Sequence, residues 1–395
     1  MDLQHMVSLL FIGYIVYTID KKQENFPAPT VLLIVGMGLS LFSYFDAIIL
    51  TETMLYHLFI PPLLFVSAYQ FPIQALIKNK RIIFLLATLG LFIHVLLLGA
   101  LTYTLSLFWF PISFLGAMLI SAILTPTDPV SVVSIIKNST VDNDLAHVVE
   151  GESMFNDGTS IVVFTALLQF LAPTTESSIG GFLYNFLIVS IGGLLIGIIL
   201  GYLMTRAIHF SKHSHYQLML SITLAYGSFI LAEGLGVSGV LAVVASGTML
   251  SHAFYQSKKE AHFRDLLDGF WEIVEVSLLA LLYLLIGIEV TDYLSIRYLG
   301  IGFTLVIFAI IARYITIFLV SRLVKRHNWR YNLLISWSGL KGSMSVFLIL
   351  TLHLRTETQA TTDQLVAISF TVVILSLILQ SLTLSRLTRK LVGKP

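Results

Sequence analysis

The chain has 395 residues, 56% apolar and 11% charged, with a formal net charge of +1, a mean hydropathy of +0.89 and no cysteine. An average soluble domain carries about 25% charged residues, and no water-soluble core hides this much apolar surface. Disorder, coiled coil, a disulfide scaffold and a nucleic-acid footprint are excluded, which leaves an all-α polytopic protein of the lipid bilayer.

A hydrocarbon layer of about 30 Å needs roughly 20 apolar residues per helix. The pattern predicts thirteen spans, roughly 3–19, 27–45, 54–77, 82–108, 112–136, 145–172, 179–205, 217–232, 237–254, 269–288, 298–321, 331–352 and 364–385. Span 1 lacks a basic start and is followed by Lys21 and Lys22, so it reads as a retained helix and not as a cleaved signal peptide. The segments after spans 1, 3, 5, 7, 9 and 11, with the C-terminal tail, hold 19 of the 23 Lys and Arg residues. The opposite side holds Arg297 and Arg355, while Arg313 and Lys341 fall within spans. The positive-inside rule then predicts an outer N-terminus and a cytoplasmic C-terminus. No predicted loop exceeds about 20 residues, so no soluble catalytic or regulatory domain is expected.

Ionisable residues at membrane depth cost at least about 2.5–3.5 kcal/mol each, which makes every one a functional candidate. They are Asp128 in span 5, Glu152 and Asp157 in span 6, Arg313 in span 11 and Lys341 in span 12, with Glu150 near the start of span 6.

Span 5 contains Thr125-Pro126-Thr127-Asp128-Pro129. Each proline lacks an N–H and clashes with the carbonyl four residues back, so the carbonyls of Ala122 and Thr125 lose their helical partners. Broken backbone at this depth is tolerated where it lines a cavity or is buried in protein. Asp128 before Pro129 reads as the N-cap of a second half-helix. The first half-helix ends in carbonyls that suit a cation.

Span 6 contains Glu150-Gly151-Glu152-Ser153-Met154-Phe155-Asn156-Asp157. At about 100° per residue, Ser153 and Glu150 lie about 40° and 20° from Asp157, whereas Glu152 points about 140° away. Asp157 and Ser153 can therefore face a site while Glu152 turns to another helix. Arg313, a buried cation that must be paired, is its expected partner. Span 12 contains Ser336-Trp337-Ser338-Gly339-Leu340-Lys341-Gly342-Ser343. Its glycines and serines weaken a helix at mid-membrane, and Lys341 is placed to offset the carbonyl ends of two half-helices.

These residues resemble the cation/proton antiporter-1 family, the NhaP-type sodium/proton exchangers. The likeness spans nearly the whole chain. It is most specific at Thr127-Asp128-Pro129, Gly151-Glu152-Ser153, Asn156-Asp157, Arg313 and Gly339-Leu340-Lys341-Gly342, and weaker at Pro61-Pro62-Leu63-Leu64-Phe65 and Val237-Ser238-Gly239-Val240-Leu241. The resemblance implies an NhaA/NhaP-like antiporter fold of thirteen helices, with inverted repeats and two discontinuous crossing helices. It implies a core of about 82–172 and 298–390 and a dimerisation subdomain of about 1–77 and 179–288. It implies a homodimer that exchanges Na⁺ or Li⁺ for H⁺ by an elevator-type motion, with no cofactor and no enzymatic activity.

Carried over by position, Asp157 binds the cation or the proton, Asn156 is its partner, and Thr127 and Ser153 add oxygens. The Na⁺ site would be Asp157, Ser153 and Thr127, with Asp128 beside it, and Glu152 and Arg313 would form a structural bridge. Two positions depart from the pattern. Lys341 stands where arginine is usual and lacks the bidentate fork. Val66 stands where many members have an acid, with Ser67 next to it. The expected location is the bacterial inner membrane.

Competing readings are a K⁺/H⁺ antiporter using the same oxygens, a cation channel, and an intramembrane serine protease suggested by Gly236-Val237-Ser238-Gly239. His57 and His94 read as packing residues, and His209, His213 and His215 as a solvated loop that could sense pH near 6.5.

Overall fold

The computed structural model describes residues 2–19, 28–45, 47–48, 50–128, 132, 136, 143–170, 179–208, 214–256, 261–325, 328–355 and 360–392. Among the described residues the long elements are all helices. They are α1 (Leu3–Ile19), α2 (Ala28–Leu39), α3 (52–70), α4 (Ile73–Trp109), α5 (Phe114–Ile123), α6 (Asn143–Gln169), α7 (Ile179–Ile208), α8 (Ser214–Gly234), α9 (Gly239–Gln256), α10 (Ala261–Val290), α11 (Leu299–Leu323), α12 (Trp329–Trp337), α13 (Ser343–Arg355) and α14 (Ala360–Val392). The stretches Ile73–Trp109, Gly180–Ala207, Arg264–Val290, Ile296–Leu323 and Thr362–Leu391 are long and apolar enough to cross a membrane.

Most predicted spans coincide with helices, and three differ. Span 2 stops at Leu39 instead of 45, where Gly36, Gly38 and Ser40 weaken the helix and the chain tightens into short turns. Spans 3 and 4 divide at Phe71–Pro72, not after 77. Phe71 is extended (φ −65°, ψ 126°), as the residue before a proline prefers. Lys78, Lys80 and Arg81 therefore lie in the first turns of α4 rather than in a loop. The second half-helix of span 5, with Pro129, lies outside the described residues, as do Lys21, Lys22, Lys137, His209 and His213.

The chain divides into two compact units, one of Met1–Glu52, Arg81–Asn156 and Leu279–Pro395, the other of Thr53–Lys80 and Asp157–Leu278. In the first unit small residues let backbones touch, as membrane helices require. A Cβ on Gly36 of α2 would lie 3.0 Å from the Cα of Gly287 of α10. Thr30 and Ser381 join α2 to α14 at 2.8 Å. In the second unit Tyr69 donates to Asp268 (2.7 Å), Tyr56 to Glu233 (2.8 Å) and Trp271 to Ser221 (3.1 Å). A π turn at Leu55–Phe59 precedes Pro61 and Pro62 in α3. Pro62 removes the helical donor to the Leu58 carbonyl, and the Tyr226 hydroxyl replaces it at 3.1 Å. Val66 is fully buried in this helix. Ser238 accepts the Leu241 N–H at 3.2 Å, so it serves as the N-cap of α9. That capping role gives the serine in Gly236-Val237-Ser238-Gly239 a structural task.

Candidate functional site

Two of the helices break at depth in the first unit. α5 ends at Ile123, and residues 124–128 continue without helical structure. α12 ends at Trp337, and α13 resumes at Ser343. The breaks meet. The Asp128 N–H donates to the Leu340 carbonyl at 2.8 Å, and a Cβ on Gly342 would lie 2.5 Å from the Asp128 Cβ. Only glycine admits this approach.

Backbone groups released by the breaks need partners, because no water in a membrane supplies them. α6 supplies them to α5. The Asn156 Nδ2 donates to the Thr125 carbonyl at 3.2 Å, which is one of the two carbonyls the prolines release. The Ser153 hydroxyl donates to the Thr127 carbonyl, and the Thr127 hydroxyl lies 3.3 Å from the Ser153 oxygen. Thr125 turns its own hydroxyl back to the Ser121 carbonyl at 2.7 Å. Thr125, Thr127, Ser153 and Asn156 are all buried.

The last carbonyls of α12 are met from α11 and α14. The Arg313 Nε donates to the Ile335 carbonyl at 3.3 Å. Gln380 donates to the Trp337 carbonyl at 2.8 Å and accepts the Ser376 hydroxyl. Ser376 in turn accepts the Lys341 N–H at 3.1 Å. Arg313 and Gln380 thus make the direct bonds to these carbonyls. Lys341 lies between the two half-helices, 2% exposed.

Glu152 and Arg313 form a bidentate pair, at 2.6 Å from one guanidinium nitrogen and 3.4 Å from the other. Both are buried. Glu152 also accepts the Asn156 Nδ2 at 3.2 Å. Gly339 lets the guanidinium lie flat against the backbone, since a Cβ there would stand 2.6 Å from Arg313 Nε. Asn156 thus bonds both the broken backbone of α5 and the ion pair.

Asp157 follows Asn156 on α6 and is 7% exposed. Helical periodicity sets it one turn beyond Ser153, on the same side of α6. Asp128 was expected to cap a half-helix that begins at Pro129, outside the described residues. Its carboxylate accepts the hydroxyl of Tyr283, a fully buried residue of α10. Tyr283, Ser376 and Gln380 were not legible as site residues, because tyrosine, serine and glutamine occur throughout apolar helices. A neutral polar residue inside a span is the one signal that could have marked Gln380. Among the described residues no group of three His, Asp or Glu side chains could hold a metal ion.

The family model described as "Sodium/hydrogen exchanger, transmembrane" matches residues 7–390. The Na⁺/H⁺ antiporter NhaH of Halobacillus aidingensis is 31% identical over 395 aligned residues, covering 97% of this chain and 96% of that protein. The Na⁺/H⁺ antiporter NhaP of Pseudomonas aeruginosa is 32% identical over 350 residues, covering 85% of this chain and 81% of that protein. The solved sodium proton antiporter MjNhaP1 of Methanocaldococcus jannaschii has a TM-score of 0.80 at 18% identity, covering 99% of each chain. The chain therefore has the fold of that antiporter.

Proposed function

Because the chain belongs to the sodium/hydrogen exchanger family, we propose that it exchanges Na⁺, or Li⁺, for H⁺ across the bacterial inner membrane, with Asp157 as the group that carries both. The observation that carries this reading is the binding of the carbonyls of Thr125 and Thr127, in the broken segment after α5, by Asn156 and Ser153 in the turn of α6 that leads to Asp157. The bonds hold the Ser153–Asn156 turn of α6 against broken backbone rich in oxygens, and Asp157 is the next residue of that helix. Sodium and lithium are hard ions that favour oxygen ligands. Asp157, Ser153 and Thr127 are the ligand set. The potassium alternative lacks this support, since the relatives above carry sodium in their names.

Coupling follows from one carboxylate serving two ligands. A charge buried in low dielectric is costly until neutralised. Either Na⁺ or H⁺ neutralises Asp157, and each excludes the other. If only the neutralised form crosses, sodium moving one way requires a proton moving the other way. Glu152 and Arg313 are bonded to each other and take no part in the exchange. Asp128, held by Tyr283 and by the Leu340 carbonyl, joins the two breaks.

The same reading places residues of about 82–172 and 298–390 in the moving core and about 1–77 and 179–288 in a dimerisation subdomain. The N-terminus is outside and the C-terminus cytoplasmic, by the distribution of Lys and Arg. The functional unit is a homodimer that works without a cofactor. The test is transport by the purified protein in proteoliposomes with an imposed ΔpH, adding Na⁺, Li⁺ and K⁺ separately. Proton flux driven by Na⁺ and Li⁺ is expected, and flux driven by K⁺ alone would overturn the assignment.

A further inference from the structure

A cavity in the first unit lies beside the ion pair, lined by His94, Thr125, Glu152, Asn156, Arg313 and Thr316 among others. Its volume is about 20 Å³, against the roughly 10–15 Å³ that one water needs. His94 is 3% exposed, and neither ring nitrogen is hydrogen-bonded to a protein atom. The Ala312 carbonyl is the backbone group that faces the ring. A π turn at Leu86–Gly90 precedes His94 in α4, the kind of irregularity that recurs at functional sites.

The cavity's chemistry selects its occupant. A cation is repelled by Arg313, with Lys341 within electrostatic reach of the ring. An apolar molecule would leave buried polar groups unpaired. Water suits every group present. Arg313 has five N–H donors, and its bonds to Glu152 and Ile335 use three. Glu152 accepts from Arg313 and Asn156 with three of its roughly four lone-pair sites. A neutral imidazole both donates and accepts.

We infer that this cavity binds one water, and that through it His94 positions the Glu152–Arg313–Asn156 cluster next to Asp157. His94 is a positioning residue, not an ion ligand. The inference rests on the exchange reading above, and names the residue that holds the Asn156 side of the ion-binding segment.

Two measurements test it. A cryo-EM map of the protein in nanodiscs, at a resolution that shows ordered waters, is expected to show density about 2.7–3.2 Å from a His94 ring nitrogen and from Glu152 or Arg313. A cavity without that density overturns the inference, whatever the variants do. In proteoliposomes, His94→Leu is expected to raise the apparent KM for Na⁺ about three- to tenfold, with a smaller change in maximal rate. His94→Gln keeps a donor and an acceptor and is expected to return KM to within about twofold of the parent. Equal behaviour of the two variants, or a parental KM in His94→Leu, refutes the role of His94. With Asp157→Asn inactive, that result leaves exchange at Asp157 standing. Activity in Asp157→Asn would instead remove the reading beneath it.

Discussion

Asn156 donates its side-chain amide to the Thr125 carbonyl at 3.2 Å, so a residue of α6 satisfies backbone that proline releases in the broken segment after α5. The same nitrogen lies 3.2 Å from Glu152. The broken helix and the buried ion pair are thereby joined through one amide, one residue before Asp157.

Removing that amide deletes both bonds at once. In Asn156→Ala, the Thr125 carbonyl is left buried without this donor, at a cost of about 1–3 kcal/mol. The melting temperature in detergent is expected to fall and the apparent KM for Na⁺ to rise. A parental melting temperature and KM would show that the bond carries no weight.

Asp157→Asn keeps the shape of the side chain and removes its charge. Exchange is expected to vanish while the protein still purifies as a folded species, read by size-exclusion profile and melting curve. Parental exchange rates in this variant would move the ion site elsewhere.

Arg313→Ala leaves Glu152 as an uncompensated buried charge, worth roughly 3–5 kcal/mol. Its melting temperature is expected to fall further than that of Asp157→Asn. Gly339→Ala should follow in the same direction, because its methyl group would stand 2.6 Å from Arg313 Nε. Thermal unfolding of the three variants side by side decides the matter, and equal midpoints would argue against the bridge.

Tyr283→Phe deletes the hydroxyl that Asp128 accepts and keeps the ring. Hydrogen bonds to charged groups contribute about 1.5–3 kcal/mol, so a lower melting temperature is expected. If Asp128→Asn and the double variant lose no more than Tyr283→Phe, the two residues act as one unit. Additive losses would separate them.

If Asp157 is the single carboxylate that serves both ions, exchange is expected to be electroneutral, since one Na⁺ and one H⁺ neutralise it equally. A tenfold sodium gradient then balances one pH unit, each about 1.4 kcal/mol. With the potential clamped by valinomycin and potassium, the sodium ratio at zero net flux should not move. Two protons per cation would add about 2.3 kcal/mol of driving force per 100 mV and shift that ratio, making Lys341 the first residue to mutate.

The sequence by itself determined what depends on neighbouring residues or on composition. Apolar fraction and periodicity marked the helices, because a helix in lipid must satisfy its own backbone. Prolines at 126 and 129 and glycines at 339 and 342 marked the breaks, since a missing N–H or Cβ acts within one turn. A lone buried arginine called for an acid, and helical phase turned Glu152 toward it. Tertiary structure decided the partners. Tyr283 reaches Asp128 across 155 positions, and Asn156 reaches Thr125 across 31. It also decided that α4 starts directly after Pro72, ahead of its lysines, and that Gln380 bonds the end of α12. A released carbonyl needs some donor within about 3 Å, and which side chain arrives there depends on how distant helices pack, a property that no local window of sequence contains.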